Sequence, residues 1–393
     1  MDIVAGVGYS HISEKAKTYV MEALDNPWFI HGKFVQRLEK EFSKEHECTF
    51  GIVTNSGTSS LHIAIQALKE LHQWNNNDEV IVPAVTFVAT ANVVIHNNLK
   101  PVFVDVDPDY YELDPNKLEE KITEKTRAIL PVHLFGQPCD MDPIMAVAKK
   151  YDLKVVEDSC ETMFASYKGK RVGSFGDIGC FSTYVAHIIS SGVGGISTTN
   201  NPDYAIKLRS LMNHGRDSIY INIGDSKNAT DKELEEIIAK RFSFINVGHS
   251  FRLTEMEGAI ACAELEDHAQ NIRRRQENAA YLIDRLQNIE QLQLPKIRKD
   301  AEHSFMMFPI VLKDRVKAEL VNYLEQHGVE TRDMLPLVNQ PIYTRLYGTT
   351  EDDYPVAKWI NHNGFYVGCH QHLDRKQLDH IATTIRKYFE DCS

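Results

Sequence analysis

The chain has 393 residues, 43% hydrophobic and 25% charged, a composition ordinary for a globular protein large enough to bury its own core. Its formal net charge of −12 argues against a nucleic-acid partner, because phosphate binding needs an excess of lysine and arginine on one face. The seven cysteines contain no Cys-x-x-Cys pair and predict no metal site, and the absence of a basic leader or a long apolar run predicts a cytoplasmic protein with no membrane span.

Two amphipathic helices are predicted at the start of the chain. Apolar residues recur at helical spacing from Ser13 to Asp25 and again from Phe34 to Phe42, and Asn26-Pro27 ends the first helix. The turn between them carries three large apolar side chains. For Trp28 and Phe29 the pattern favours packing in the core.

From residue 50 onward, short apolar strands alternate with helices. We predict strands at 51–54, 79–83, 101–106, 127–132, 153–157, 178–182 and 195–199. Helices are predicted at 56–71, 86–95, 115–122, 141–151 and 203–212. This alternation is typical of right-handed βαβ units, so we expect an α/β fold with a mostly parallel central sheet covered by helices.

We divide the chain into two domains, a large α/β domain over residues 1–252 and a smaller C-terminal α/β domain over 253–393. A polar segment near 221–245, with a capping box at Thr230–Glu233, is expected to be an insertion at the edge of the large sheet. A single long helix from Leu253 to about Leu286 is expected to link the domains. A strand at 305–312 and helices at 317–326 and 378–388 complete the smaller one.

Several strand ends carry residues suited to chemistry. The turn 56–58 opens a helix, and its free amides and hydroxyls suit either a phosphate or a purely structural cap. Phe87 can lie over a planar ring, although an aromatic side chain on a helix belongs more often to the core. Asp158 ends a strand, where a buried carboxylate needs a partner such as a protonated pyridine nitrogen or an arginine. Ser182 and His187 follow another strand, ahead of a glycine-rich turn, and complete a candidate site for a cationic heteroaromatic ring.

A series of short motifs in chain order ties these strand ends to a known family. The motifs are Trp28-Phe29-Ile30-His31-Gly32, Asn55-Ser56-Gly57-Thr58, Pro83 to Asn92, Val104-Asp105-Val106, His133-Leu134-Phe135-Gly136, Glu157-Asp158, Gly173 to Asp177, Phe181-Ser182, Gly192 to Gly195, Asn213 to Arg216, and Phe251 to Met256. With them the chain resembles, nearly end to end, the DegT/DnrJ/StrS family of pyridoxal-phosphate-dependent sugar enzymes. That resemblance implies the aspartate-aminotransferase fold, which is fold type I.

The resemblance implies a role for each strand end. Gly57, Thr58 and Ser182 would hold the phosphate of pyridoxal phosphate (PLP), and Phe87 would stack on its ring. Asp158 would hydrogen-bond the pyridine nitrogen and keep it protonated, so that the ring accepts electrons.

Further contacts are implied around the ring and the substrate. Glu161 occupies the position near the ring hydroxyl where the family often has Gln or His. The turn of Ser250, Phe251 and Arg252 resembles one that reaches into the neighbouring subunit's site, which implies a homodimer with shared sites. The family usually has Asn at 250, so the phosphate contact there depends on a serine. Substrate contacts are implied for Trp28, His31, His214, Arg252 and His370.

Residue 187 departs from the family. The family usually has a lysine there, which binds the cofactor covalently and moves protons; this chain has His187 and no lysine between 170 and 207. Histidine cannot form that covalent link, but it can act as a general base near neutral pH. The alternatives are an inactive or an engineered site. The lysine-lacking 3-dehydratases of the family resemble the chain at His187, at 157–161 and at 368–371, and they use pyridoxamine phosphate regenerated from glutamate.

The resemblance therefore predicts a sugar aminotransferase with PLP and pyridoxamine phosphate held non-covalently. Glutamate would supply the amine, His187 would shuttle the proton, and the acceptor would be a keto- or aldehydo-sugar of cell-surface polysaccharide. Within the family, the chain resembles the 8-amino-3,8-dideoxy-octulosonate aminotransferases of lipopolysaccharide assembly. A 3-dehydratase of a 4-keto-6-deoxy nucleotide sugar is the alternative, favoured by His187 and opposed by Ile188 and Val193. A non-catalytic sensor is a second alternative.

Overall fold

The computed structural model of the protein describes residues 3–8, 11–217, 230–240 and 242–391. Its helices are α1 (Glu14–Leu24), α2 (Lys33–Glu45), α3 (Gly57–Leu71), α4 (Val88–His96), α5 (Met141–Lys150), α6 (Pro202–Met212), α7 (Asp231–Lys240), α8 (Glu255–Glu266), α9 (His268–Leu286), α10 (Ala318–Gln326), α11 (Pro341–Tyr347), α12 (Pro355–Asn363) and α13 (Arg375–Asp391). Its strands are β1 (Phe50–Thr54), β2 (Glu79–Pro83), β3 (Lys100–Val104), β4 (Thr126–Ile129), β5 (Lys154–Asp158), β6 (Ser166–Tyr167), β7 (Lys170–Arg171), β8 (Ile178–Ser182), β9 (Gly195–Thr199), β10 (Leu292–Gln293), β11 (Met307–Leu312), β12 (Thr331–Asp333) and β13 (Gly364–Gly368).

The larger sheet has seven strands in the order β1-β9-β8-β5-β4-β2-β3. Strand β9 runs antiparallel to both of its neighbours, and the other four pairings are parallel. The predicted fold class, a mostly parallel sheet covered by helices, is confirmed. Since β1 and β8 each run opposite to β9, they point the same way and end at the same edge of the sheet.

The smaller sheet has the order β10-β11-β13-β12, and all of its pairings are antiparallel. Its core includes Phe308 and Phe365 from the sheet and Leu282 and Ile381 from helices α9 and α13. The start of the chain joins this region, because the Val7 amide donates to Glu330 Oε2 at 2.8 Å. The proposed domain boundary at 252/253 stays a prediction.

Two predicted helices are wrong in detail. The helix expected at 115–122 is instead a pair of 3₁₀ turns, Pro115–Lys117 and Glu119–Lys121, closed by short-range bonds such as that from the Lys121 amide to the Leu118 carbonyl at 3.0 Å. The single helix expected from Leu253 to Leu286 is two helices, α8 and α9. It breaks at Asp267, whose φ of −102° and ψ of 2° leave the helical region.

The turn between α1 and α2 also differs from the prediction. Trp28 and Phe29 are 43% and 52% exposed, so their expected packing in the core is wrong. The Asn26 side chain accepts from the Trp28 amide at 3.0 Å, and Ile30 pairs with Thr254. These backbone contacts hold the turn on the surface, which leaves its apolar side chains facing outward within a single protomer.

The expected insertion near 221–245 falls partly outside the described residues. Residues 231–240 form α7, as the capping-box pattern predicted. Within the described ranges, none of the helices combines the length and apolar character needed to cross a membrane.

A buried carboxylate joins the large sheet to α12. Asp105 is 4% exposed and accepts hydrogen bonds from the amides of Val356 and Ala357 at 3.0 and 2.9 Å, and Lys117 Nζ lies 3.2 Å away. These amides belong to the first turn of α12, which has no partners for them within the helix.

Replacing Asp105 by alanine should therefore destabilise the protein by about 1–3 kcal/mol, because two buried amides lose their acceptor. Urea-induced unfolding measures this loss. Asp352→Ala is the matched control, since its ion pair with Lys358 is on the surface and its removal should leave the unfolding midpoint unchanged. Equal effects of the two substitutions would contradict the structural role of Asp105.

Candidate active site

The carboxyl edge of the large sheet gathers most of the predicted site residues. Gly57 and Thr58 follow β1, Phe87 follows β2, and Asp158 ends β5. Asp158 pairs with Cys180 of β8, so Ser182, two residues further along β8, lies at the same edge. The topology thus brings together residues that are far apart in the chain, and ligands of such sheets bind at this edge.

The turn into α3 lies very close to Ser182 and Cys160. Ser56 caps the helix, its Oγ accepting from the Ser59 amide at 3.0 Å. A Cβ atom on Gly57 would lie 2.7 Å from the Ser182 Cβ and 2.8 Å from the Cys160 Sγ, so only glycine fits. Thr58 is exposed. The free amides of the first helical turn and this hydroxyl form a cradle that suits a phosphate.

Asp158 is a buried acid that is held by hydrogen bonds. It is 4% exposed; its Oδ2 accepts from Thr90 Oγ1 at 2.8 Å and its Oδ1 from the Cys160 amide at 3.2 Å. Burial raises its pKa. No ion pair with Asp158 exists among the described residues, so the arginine partner left open by the sequence is absent there. A protonated pyridine nitrogen would supply the positive charge that this carboxylate lacks there.

Glu161 lies three residues beyond Asp158 and is partly buried. Its Oε2 accepts from the Phe135 amide at 3.1 Å. Burial raises the pKa of Glu161 to about 7, and the nearby Asp158 charge adds to the shift. Near neutral pH this carboxyl is therefore often protonated, and it can then donate a hydrogen bond as a glutamine would.

The loop after β8 holds His187 in one orientation. Its ends are tied by the bond from the Thr183 amide to the Gly194 carbonyl at 3.0 Å and from the Ser191 amide to the Thr183 carbonyl at 2.9 Å. His187 Nδ1 lies 2.9 Å from the Ser182 carbonyl oxygen. Because a carbonyl only accepts, Nδ1 carries the hydrogen and the lone pair of the neutral ring is on Nε2.

The electrostatic surroundings keep His187 neutral. Burial is the main cause that lowers its pKa to about 4, and the positive charge of Arg275 contributes. A neutral imidazole with a free lone pair on Nε2 is a general base at physiological pH.

Phe87 stands at the start of α4 and is 57% exposed. The expectation that an aromatic residue here would belong to the core is therefore wrong. An exposed ring beside Asp158's hydrogen-bond partner Thr90, on the same helix, suits stacking on a planar ligand.

The predicted substrate residues fall into two groups. His370 is buried and lines the same narrow cavity as His187. The remaining residues lie in surface segments: Trp28 and His31 are in the turn before α2, His214 is exposed with a φ of 62°, and Arg252 Nη2 donates to Ser250 Oγ at 2.9 Å. Arg252 also contacts Asn213, so the 213–216 and 250–252 segments form one surface unit.

Two parts of the site were missed from the sequence. Thr90 binds Asp158 directly, and Thr86 supports it with an Oγ1–Oγ1 distance of 2.8 Å; their spacing of one helical turn was an available signal. Glu157 accepts from the amides of Gly173 and Gly176, both at 2.7 Å, and lies 3.0 Å from His133 Nε2. Its role is to hold the fold.

The fold and the carboxyl-edge site define a PLP-dependent transferase of fold type I. This class is shared with the E. coli GDP-4-keto-6-deoxy-D-mannose-3-dehydratase with bound hydrated PLP, which has a TM-score of 0.88 at 25% identity and covers 98% of this chain and 100% of that one.

The chain belongs to the DegT/DnrJ/EryC1/StrS aminotransferase family, whose model matches residues 10–386. It is 32% identical over 375 residues to the GDP-perosamine synthase of Caulobacter vibrioides, covering 94% of each chain. It is also 29% identical to the lipopolysaccharide biosynthesis protein RfbH of Salmonella typhimurium, over 96% of this chain and 90% of the relative. The predicted family and the PLP cofactor are thereby confirmed, and the relatives include both sugar aminotransferases and a 3-dehydratase.

The raised pKa of Glu161 makes stability depend on pH in a defined direction. Between pH 4.5 and about 7 the native state keeps this proton and the unfolded chain loses it, so stability falls as the pH rises through that window. Glu161→Gln removes the effect. The free energy of unfolding of the variant minus that of wild type should therefore be larger at pH 8 than at pH 5, by up to about 3 kcal/mol.

Urea unfolding of the cofactor-free protein at the two pH values measures this difference. Glu120→Gln, at an exposed position, is the control and should show none. A Glu161→Gln variant that tracks wild type at both pH values would mean that Glu161 is ionised in the folded protein.

Proposed function

We propose that the chain is a sugar aminotransferase that takes an amino group from glutamate and passes it to a keto- or aldehydo-sugar in the cytoplasm. The observation that carries this proposal is the hydrogen bond from His187 Nδ1 to the Ser182 carbonyl, which leaves Nε2 as a base at the carboxyl edge of the sheet. His187 stands where the family usually has its covalent lysine, so the cofactor would be held without a covalent bond.

Five residues would hold the cofactor. Gly57, Thr58 and Ser182 suit its phosphate, Phe87 suits its ring face, and the Asp158 carboxylate suits its ring nitrogen. When bound, the cofactor supplies an electron sink for the carbon from which a proton is removed. The Asp158 charge serves this chemistry because it favours a protonated ring nitrogen, and Thr90 and the Cys160 amide fix its orientation.

His187 would move the proton during amine transfer. Its Nε2 accepts a proton from the donor carbon and returns it to a neighbouring carbon, while Nδ1–H stays bonded to the Ser182 carbonyl and prevents the ring from turning. Burial disfavours the charged imidazolium, so the proton is readily given back.

For the acceptor we propose a sugar destined for cell-surface polysaccharide. The proposal is supported by the similarity to a GDP-perosamine synthase and to a lipopolysaccharide biosynthesis protein. An aldehyde-bearing 3,8-dideoxy-octulosonate is the narrower candidate, on the resemblance of the sequence to that subgroup.

A 3-dehydratase of a 4-keto-6-deoxy nucleotide sugar is the second candidate. His187 in place of lysine favours it, and the chain is similar in structure to a GDP-4-keto-6-deoxymannose-3-dehydratase and to a mutant of that type of enzyme (ColD) with bound GDP-perosamine. Both candidates need the same first half-reaction with glutamate.

That half-reaction is the test of both. The protein incubated with PLP and glutamate should convert the aldehyde absorbance to that of the amine and release 2-oxoglutarate. His187→Asn should slow this conversion by about 100- to 10,000-fold, the usual contribution of a general base, and the exposed His362→Asn control should not. An unchanged spectrum with wild type would leave only a non-catalytic sensor.

Adding candidate sugars then separates the two enzymes. Release of ammonia identifies the dehydratase, and a product that keeps its new carbon–nitrogen bond identifies the aminotransferase. His187→Lys tests whether residue 187 faces the cofactor. If it does, PLP should attach covalently to the new side chain, and borohydride reduction should then give a mass increase.

We also propose a homodimer with shared active sites. Trp28, Phe29 and Ile30 are 43–52% exposed, and exposed apolar groups of this kind mark protein interfaces. Ser250 and Arg252 form a surface unit in one protomer, where they are available to a partner.

Mixing two inactive variants tests this sharing. If Arg252 serves the partner's site, co-refolded His187→Asn and Arg252→Ala chains form heterodimers with one intact site. Because half of the dimers are mixed, activity should return to about a quarter of wild type. No recovery, with mixed dimers verified by mass spectrometry, would assign Arg252 to the site of its own subunit.

A further inference from the structure

A narrow polar cavity lies behind the loop that carries His187. It is lined by the 185–188 segment of that loop, by Glu264 of α8, by Arg275 of α9 and by His370, which follows β13. The free space at its centre is close to that of one water molecule. His187, Glu264 and Arg275 line it together, so the charges of the other two side chains act on the His187 ring.

Arg275 is the positive charge of this cavity. It is 2% exposed, and its Nη1 donates to the carbonyls of Phe305 and Met306 at 3.3 and 2.9 Å. In the part of the chain that the structure describes, no carboxylate lies within 4 Å of the guanidinium and Nε has no hydrogen-bond partner. Burial lowers the pKa of Arg275 to about 10. A buried cation without a contacting anion is costly and projects its field onto its neighbours.

Glu264 is the only acidic residue, among those that the structure describes, that lines the cavity. Burial raises its pKa to about 7, Asp267 adds to this shift, and the charges of Arg275 and Lys15 oppose it. Arg275 also contributes to the lowered pKa of His187. The arginine therefore couples electrostatically to a carboxyl group on one side and to the candidate base on the other.

We infer that Glu264 is a positioning residue for proton transfer at His187, because its carboxylate offsets the charge of Arg275 across the cavity and so sets how readily Nε2 accepts a proton. The inference rests on the proposed role of His187. It assigns the separated charges of Glu264 and Arg275 a role at the base.

The direction of the pH dependence follows from the charges. Above pH 7, ionised Glu264 cancels part of the Arg275 field, and a proton on His187 is less unfavourable. As the pH falls through about 7, Glu264 is protonated and this support is lost. Among the residues that the structure describes, the other titratable groups that line the cavity or contact the His187 ring are His11, His370, His372 and Tyr184. Asp267 and Lys15 also act on Glu264.

The test follows His187 itself by NMR. In full-length protein loaded with pyridoxamine phosphate and carrying ¹³Cε1-histidine, the His187 resonance, identified by its loss in His187→Asn, should show an inflection near pH 7. Glu264→Gln should abolish the inflection, and Glu264→Asp should retain it because the charge is kept. Glu277→Gln, an exposed change of the same charge on α9, should leave it unchanged.

A rate measurement gives the functional consequence. At pH 8, the single-turnover rate with glutamate should fall about tenfold in Glu264→Gln, as for a shift of about one pKa unit in the base. Below pH 6 the variant and wild type should converge. Glu264→Asp should recover most of the rate.

Two results would overturn the inference. The first is an inflection that survives in Glu264→Gln but disappears in Glu161→Gln, which would assign it to the other acid whose pKa is about 7. The second is an equal loss of rate at every pH, which would mean a structural role only. Because the NMR titration needs no turnover, a protein without transaminase activity would still give a clear answer on the coupling.

Discussion

The proposed cofactor site depends on one buried carboxylate. Asp158 is placed by the parallel pairing of β5 and β8 and held by Thr90 and the Cys160 amide, yet no cation pairs with it within the described residues. Burial disfavours the charged form of this group and raises its pKa, and a ligand that brings a positive charge would stabilise the carboxylate. In the proposed site, the glycine cradle at Gly57 and the exposed face of Phe87 would provide two further contacts for a cationic ring.

The electrostatic surroundings of His187 are opposite to those of Asp158. Around His187, burial and the charge of Arg275 disfavour a positive charge. At Asp158 the carboxylate favours one. For a cofactor bound in the proposed site, the Asp158 carboxylate would favour a charged ring nitrogen, and the neutral His187 ring would be free to take a proton. A proton-transfer enzyme needs such a base at neutral pH.

The sequence predicted the large sheet well because most of its strands contain a short apolar run followed by turn residues, as at 79–83 and 153–157. Asp158 and Ser182 became candidates for the same reason, since they end β5 and β8. His187 lies in the loop after β8, and its proposed role comes from the family resemblance. The break at Asp267 and the exposure of Trp28 and Phe29 could not, because both depend on tertiary contacts. Arg275 and Glu264 were missed because neither stands in a strand-end motif: only the packing of α8 and α9 against the loop brings them to His187.

The adjacent acids Glu157 and Asp158 of β5 have different surroundings. Side chains alternate along a strand, so Glu157 and Asp158 project to opposite faces although they are chemically alike. Glu157 is fully occupied by the amides of Gly173 and Gly176 and by His133, and it pins the connection between β5 and β8. With the role proposed for Asp158, natural variation at the two positions should be interpreted differently: a change at 157 would reduce the amount of folded protein, whereas a change at 158 would leave a folded protein that has lost its activity.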